Sequence, residues 1–157
     1  MDEHAVGLGT VVVGVDFTAD SEAVIQWVGR RLPPEGTTVL VHAVELPHAS
    51  GETPAQRDIR HEVTTSAIDS LERMGEKFLT DRNVETVVQE GEPSQVLTSV
   101  ALECGANLIV VGPHHGRPAF ERFVGSTAQR LIHEGAVPVL LAAVGAPSEQ
   151  PGDAVRP

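Results

Sequence analysis

The chain has no tyrosine and a single tryptophan, and aromatic residues make up only 3% of it. A surface that stacks unpaired bases needs several aromatic rings, so single-strand nucleic-acid binding of that kind is not expected. Basic residues are scarce as well: 11 Lys and Arg stand against 22 Asp and Glu, a formal net charge of -11. Phosphate contacts dominate affinity for nucleic acids and for anionic membranes, so neither is expected as a partner. The lone Cys104 leaves no intrachain disulfide framework and no cysteine-rich zinc site, and it suits a reducing interior. By its spacing it reads as buried filler on an apolar helix face. No run approaches the ~20 apolar residues of a membrane-spanning helix. Met1-Asp2-Glu3-His4 opens no basic-then-apolar leader. These absences together point to the cytoplasm.

What the chain does have is a set of short β-branched runs. Val11-Val12-Val13-Gly14-Val15 is the first, and residues 39–44, 84–88, 108–111 and 137–142 repeat it. Runs apolar on both sides suit parallel strands covered by helices on both faces. Helical spacing fills the gaps. Ala23, Val24, Trp27 and Val28 follow Thr18, Asp20 and Ser21, any of which can cap a helix. Val63, Ala67, Leu71, Met74 and Phe78 form a stripe along 54–81, and Val96, Leu97, Val100, Ala101 and Cys104 another along 94–104. A fourth helix opens at Gly125 and stops at Gly135, with Val124, Ala128, Leu131 and Ile132 as its face. The alternation predicts an α/β fold: an open five-stranded parallel sheet, doubly wound and Rossmann-like, strand order 3-2-1-4-5. A chain of this length makes one domain, here 9–143, between a disordered N-terminus (1–8) and a disordered tail (144–157) rich in Pro, Gly and charge.

The functional signal lies where the first and fourth strands end, because ligands of such sheets bind at the crevice where strand order reverses. The fourth strand ends at Gly112, and after a loop of Gly, Pro, His and Arg, Gly125-Ser126-Thr127 opens a helix. A strand, a glycine-bearing loop and a helix N-terminus together suit a phosphate, since unpartnered N–H groups and the helix dipole both favour an anion. Asp16 ends the first strand. Its carboxylate suits ribose hydroxyls or a hydrated metal ion, and it equally suits bracing of the turn into the first helix. Arg117 and Arg122 either pair with phosphates or solvate the loop. His114 and His115 read as exposed loop or as nucleotide contacts, and their spacing fits no metal site. His42 reads as a strand residue with a polar neighbour, Gly91-Glu92-Pro93 as a turn into the third helix, and residues 47–58 as either a lid or a slack connection. No catalytic constellation and no metal-ligand set emerges from the spacing.

Several separate stretches resemble the universal stress protein family over roughly residues 9–143. VVVGVDFTADSEAV is similar to its first strand and turn, LVHAVELP to its second strand, and GEP at 91–93 to its entry into the third helix. ANLIVVG and GSTAQRLIHEGAVPVLLA are similar to its fourth strand and its closing helix and strand. The resemblance implies an adenine nucleotide, ATP with or without Mg2+, and a regulatory or stress-response role with at most slow ATP hydrolysis. On the matching positions the nucleotide would meet Asp16, Phe17 and Thr18, the second-strand backbone at Val41, His42 and Ala43, then Gly112, His115, Gly116, Gly125, Ser126 and Thr127. It also implies a homodimer paired through the fifth strand between Val137 and Leu141, whose apolar edge would otherwise be a hazard. ATP-binding members carry Gly-x2-Gly-x9-Gly-Ser/Thr. Here Gly112 and Gly125-Ser126 keep that spacing, but His115 holds the middle place and Gly116 comes one residue late. That departure motivates the alternative, a nucleotide-free dimeric member acting as a protein-interaction module.

Overall fold

The computed structural model describes residues 7–47, 50–113 and 125–144. The described residues form β1 (Thr10–Gly14), α1 (Ala19–Arg31), β2 (Thr37–Val44), α2 (Pro54–Phe78), β3 (Asn83–Glu90), α3 (Pro93–Glu103), β4 (Leu108–Val111), α4 (Ser126–Glu134) and β5 (Val139–Leu141). All pairings are parallel, and the sheet runs β3-β2-β1-β4-β5, the expected order.

The period of two along a strand explains why both faces are buried. On one face Val12, Val39, Val41, Ile109 and Val111 pack under Val96, Leu97, Val100 and Ala101 of α3 and Ala128 and Leu131 of α4. On the other, Val11, Val13, Leu40 and Val110 pack under Val24, Ile25 and Val28 of α1 and Leu71 of α2. Each helix start is thereby brought to the carboxyl edge of the sheet. The opposite edge is tied down by Arg82, whose side chain is 2% exposed. Its guanidinium donates to the Gly29 and Leu32 carbonyls at 3.1 and 3.2 Å, a cation at the negative end of α1.

The elements differ from the sequence reading at several positions. Val137 and Ala142 are buried core residues flanking β5 rather than members of it. The second helix ends at Phe78, short of 81, where the Leu79 N–H closes on the Gly75 carbonyl. Within it Ala67 and Leu71 are buried, but Val63 is 37% exposed. A helix of 25 residues, rising ~1.5 Å per residue, outruns the eight-residue strands it covers by about two turns, and its burial begins only at Ala67. Cys104 is exposed, not buried filler. The helix stops at Glu103, and Cys104 becomes the C-cap leading into Gly105, whose φ of +64° turns the chain off the apolar face.

Candidate functional site

A cleft of about 460 Å3 opens where β1 and β4 end, within the size range of small-molecule sites. Asp16, Asp20 and Ser21 line it beyond β1, Val111, Gly112 and Pro113 at the end of β4, and Gly125, Ser126, Thr127 and Arg130 at the start of α4. Glu45 past β2 and Glu92, Pro93 and Leu97 at the start of α3 complete it.

The turn from β1 into α1 is closed by its own side chains. Asp16 Oδ1 accepts the Thr18 N–H at 3.0 Å, the Thr18 hydroxyl at 2.6 Å and the Ser21 hydroxyl. The Asp16 N–H returns to Ser21 Oγ at 2.8 Å, and Thr18 Oγ1 caps α1 by accepting the Ser21 N–H. Phe17 sits in this turn at φ +60°, a left-handed conformation costly for an aromatic residue and sustained only where the surroundings fix it. Its ring lies 4.4 Å from the His42 ring between centroids. His42 Nδ1 lies 2.7 Å from the Val15 carbonyl, so Nδ1 carries the proton and donates. The histidine therefore meets a polar neighbour, as its place in a strand suggested.

The start of α4 is built differently. Its N-cap is Gly125, at φ −59° and ψ 160°, which brings no side-chain acceptor to the first-turn N–H groups. Gly112 is required by packing: a Cβ there would lie 2.9 Å from Val24 Cγ2 of α1. At α3 the N-cap is Glu92, which accepts the Ser94 and Gln95 N–H groups at 3.2 and 3.1 Å and the Ser94 hydroxyl at 2.5 Å. Arg130 Nη1 of α4 lies 2.9 Å from its Oε1. Burial pushes the Glu92 carboxyl up, but the Ser94 hydroxyl, the two N–H groups and Arg130 together hold it below the ordinary glutamate range.

Of the residues picked from the sequence, Asp16, Gly112, Gly125, Ser126 and Thr127 line one cleft. Thr18 braces its edge through Asp16. Phe17, Val41, His42 and Ala43 lie at the adjoining ends of β1 and β2 and are not part of its lining. His115 and Gly116, with His114, Arg117 and Arg122, lie outside the described residues. Asp20, Glu45, Glu92, Pro93, Leu97 and Arg130 line the cleft and were missed. One signal was present: Arg130 stands four residues after Ser126, hence on the same helix face. The described part of 47–58 lies off this cleft. There Arg60 bridges Glu52 and Glu90 beside a separate small hollow lined by Leu46, Pro47 and Ile59.

Among the described residues no cluster of three or more His, Cys, Asp or Glu is placed to hold a metal ion, and no helix is long and apolar enough to cross a membrane. An all-parallel sheet with this order and a cleft at its switch point defines a doubly wound, Rossmann-like architecture. The universal stress protein family model matches residues 7–143, and the chain belongs to that family. Solved structures agree on the fold. The universal stress protein UspA from Lactobacillus plantarum is 19% identical, with 87% of this chain and 99% of that one covered and a TM-score of 0.64. A universal stress protein in complex with cAMP is 19% identical, covering 87% and 98%, with a TM-score of 0.65. One from Archaeoglobus fulgidus in complex with dAMP is 20% identical, covering 85% and 96%, with a TM-score of 0.50. No curated protein matches the chain.

Proposed function

We propose that this chain is a cytoplasmic regulatory protein that binds an adenine nucleotide, ATP with or without Mg2+, at the carboxyl ends of β1 and β4. The observation that carries the reading is a single cleft shared by Asp16 and the glycine-capped start of α4. First-turn N–H groups and the Ser126 and Thr127 hydroxyls suit the phosphates, and Asp16 suits sugar hydroxyls. On this reading a base would extend from the cleft toward Phe17 and the β2 backbone at Val41, His42 and Ala43, at the adjoining strand ends. Two fold relatives are complexes with cAMP and with dAMP, which favours the adenine class. A homodimer paired through β5 fits the position of that strand at the sheet edge.

Isothermal titration calorimetry with ATP and AMP, each with and without Mg2+, tests the reading. Saturation at ~100 times the dissociation constant should raise stability by about 2.7 kcal/mol. Absence of both heat and thermal shift at millimolar nucleotide would remove it. His115 in the middle motif place favours a second reading, a nucleotide-free dimeric interaction module. Native mass spectrometry separates the two: the first expects co-purified adenine nucleotide, the second a bare dimer.

A further inference from the structure

The ion pair between Glu92 and Arg130 spans the cleft lining and joins the two helices that flank its phosphate end. Arg130 belongs to α4 and shares a face with Ser126. Side chains on a helix lean toward its N-terminus, so the long Arg130 side chain leans back over the first turn. That is where the N–H groups left without an N-cap side chain face the cleft. Its present partner does not depend on it. Glu92 is held independently by the Ser94 hydroxyl and by the Ser94 and Gln95 N–H groups, at 2.5, 3.2 and 3.1 Å. Arg130 is 59% exposed at its side chain, so its pair with Glu92 is a weak one. A guanidinium bound bidentately to phosphate is a stronger contact than an exposed ion pair.

Resting on the nucleotide reading above, we propose that Glu92 and Arg130 form a competitive latch for phosphate: a ligand phosphate at the start of α4 takes Arg130 from Glu92. Arg130 thus reads the phosphate, and Glu92 sets how much a phosphate gains over the bare nucleoside. Three neighbouring carboxylates, Asp16, Asp20 and Glu45, line the same cleft, so Arg130 is the cation among the described lining residues. Its contribution should therefore fall on the phosphate and not on the sugar or base.

The pair could otherwise be a plain brace between α3 and α4. A second such link exists to serve as control, from Thr98 Oγ1 to Glu134 Oε2 at 3.0 Å, outside the cleft lining. The experiment is calorimetric titration of the full chain with AMP and with adenosine, in the wild type, Arg130→Gln, Glu92→Gln, the double variant and Thr98→Ala. Gln at 92 keeps an acceptor for the α3 cap, so folding should survive. Arg130→Gln should weaken AMP about tenfold and leave adenosine within about twofold. Glu92→Gln should tighten AMP about threefold, because it removes the competitor for Arg130. In the Glu92→Gln background the loss on removing Arg130 should grow to about thirtyfold. Thr98→Ala should move neither ligand. Equal losses for AMP and adenosine, additive losses in the double variant, or weaker AMP binding by Glu92→Gln would each overturn the latch. A wild type that binds AMP no tighter than adenosine overturns the latch alone. A wild type that binds no adenine nucleotide overturns the functional reading and the latch with it.

Discussion

Two helix starts border the same cleft and are finished in opposite ways. At α1 the chain supplies its own anion: Asp16 gathers Thr18 and Ser21, and Thr18 caps the helix. At α4 the N-cap is a glycine, which itself brings no side-chain acceptor to the first turn. Both starts carry the same partial positive charge. The difference is that the turn into α1 is closed by its own side chains, whereas the N-cap of α4 brings no side chain to its first turn. Substitutions that exchange the two characters test whether that division is real.

The largest effect is expected at the turn into α1. Asp16→Ala leaves the Thr18 N–H and the Thr18 and Ser21 hydroxyls without their shared acceptor, and the left-handed Phe17 loses the turn that sustains it. A loss of about 2–3 kcal/mol in urea unfolding is expected, together with loss of nucleotide binding. Asp16→Asn should recover part of the stability, since its amide oxygen still accepts. Gly112→Ala comes next. Its Cβ would press on Val24 Cγ2 at 2.9 Å, and Val24 is fully buried, so about 1–2 kcal/mol should be lost. If the stability of Gly112→Ala equals that of the wild type, the glycine serves ligand approach and not packing.

The start of α4 invites the reverse experiment. Gly125→Asp gives it what α1 already has. A capping carboxylate should leave stability unchanged or raise it by a few tenths of a kcal/mol, about the usual gain over a glycine N-cap. It should also weaken AMP about tenfold, because it places a negative charge where the phosphate would lie. A variant that is both more stable and still a full-strength binder would abolish the contrast between the two helices. The phosphate would then have to sit elsewhere.

How much of this could be read from the sequence follows from which interactions are local. The five runs and the stripes between them marked the strands and their parallel pairing, because parallel strands buried on both faces leave an unbroken apolar signature; their lateral order followed from the doubly wound class. Asp16 and Gly125 were legible for the same reason: each stands next to its strand or helix end. Glu92 and Arg130 were not. Their contact arises from the packing of α3 on α4, which no spacing within either helix announces. Glu92 in particular was read as part of an architectural turn, and it is that as well, capping α3 while it lines the cleft. Periodicity also overreached at single positions. Ile132 was placed on the buried face of the last helix and is 58% exposed, because one residue past Leu131 the helix has turned about 100° toward solvent.

A finer test of the same contrast uses acid. The α3 start, like that of α1, is filled by a side chain of the chain itself, the Glu92 carboxylate, held below the ordinary glutamate value despite its burial. A carboxyl whose folded-state pKa is depressed stabilises the fold at any pH above its unfolded value, about 4.3 for glutamate. That contribution is lost as pH falls through the lower folded value. Other carboxylates share the sign, among them Asp81, held down by its hydrogen bond to Arg82, so acid sensitivity of the wild type alone says little. The informative quantity is the stability of the wild type minus that of Glu92→Gln. This difference should be level from neutral pH to about 5, shrink below about 4.3, and level again under strong acid. The change is expected to be the smallest of the four, since the carboxylate remains partly exposed. A difference that stays constant down to strong acid would mean that the α3 start does not depend on the charge at Glu92. The helix would then be capped by the neutral acid as well as by the carboxylate.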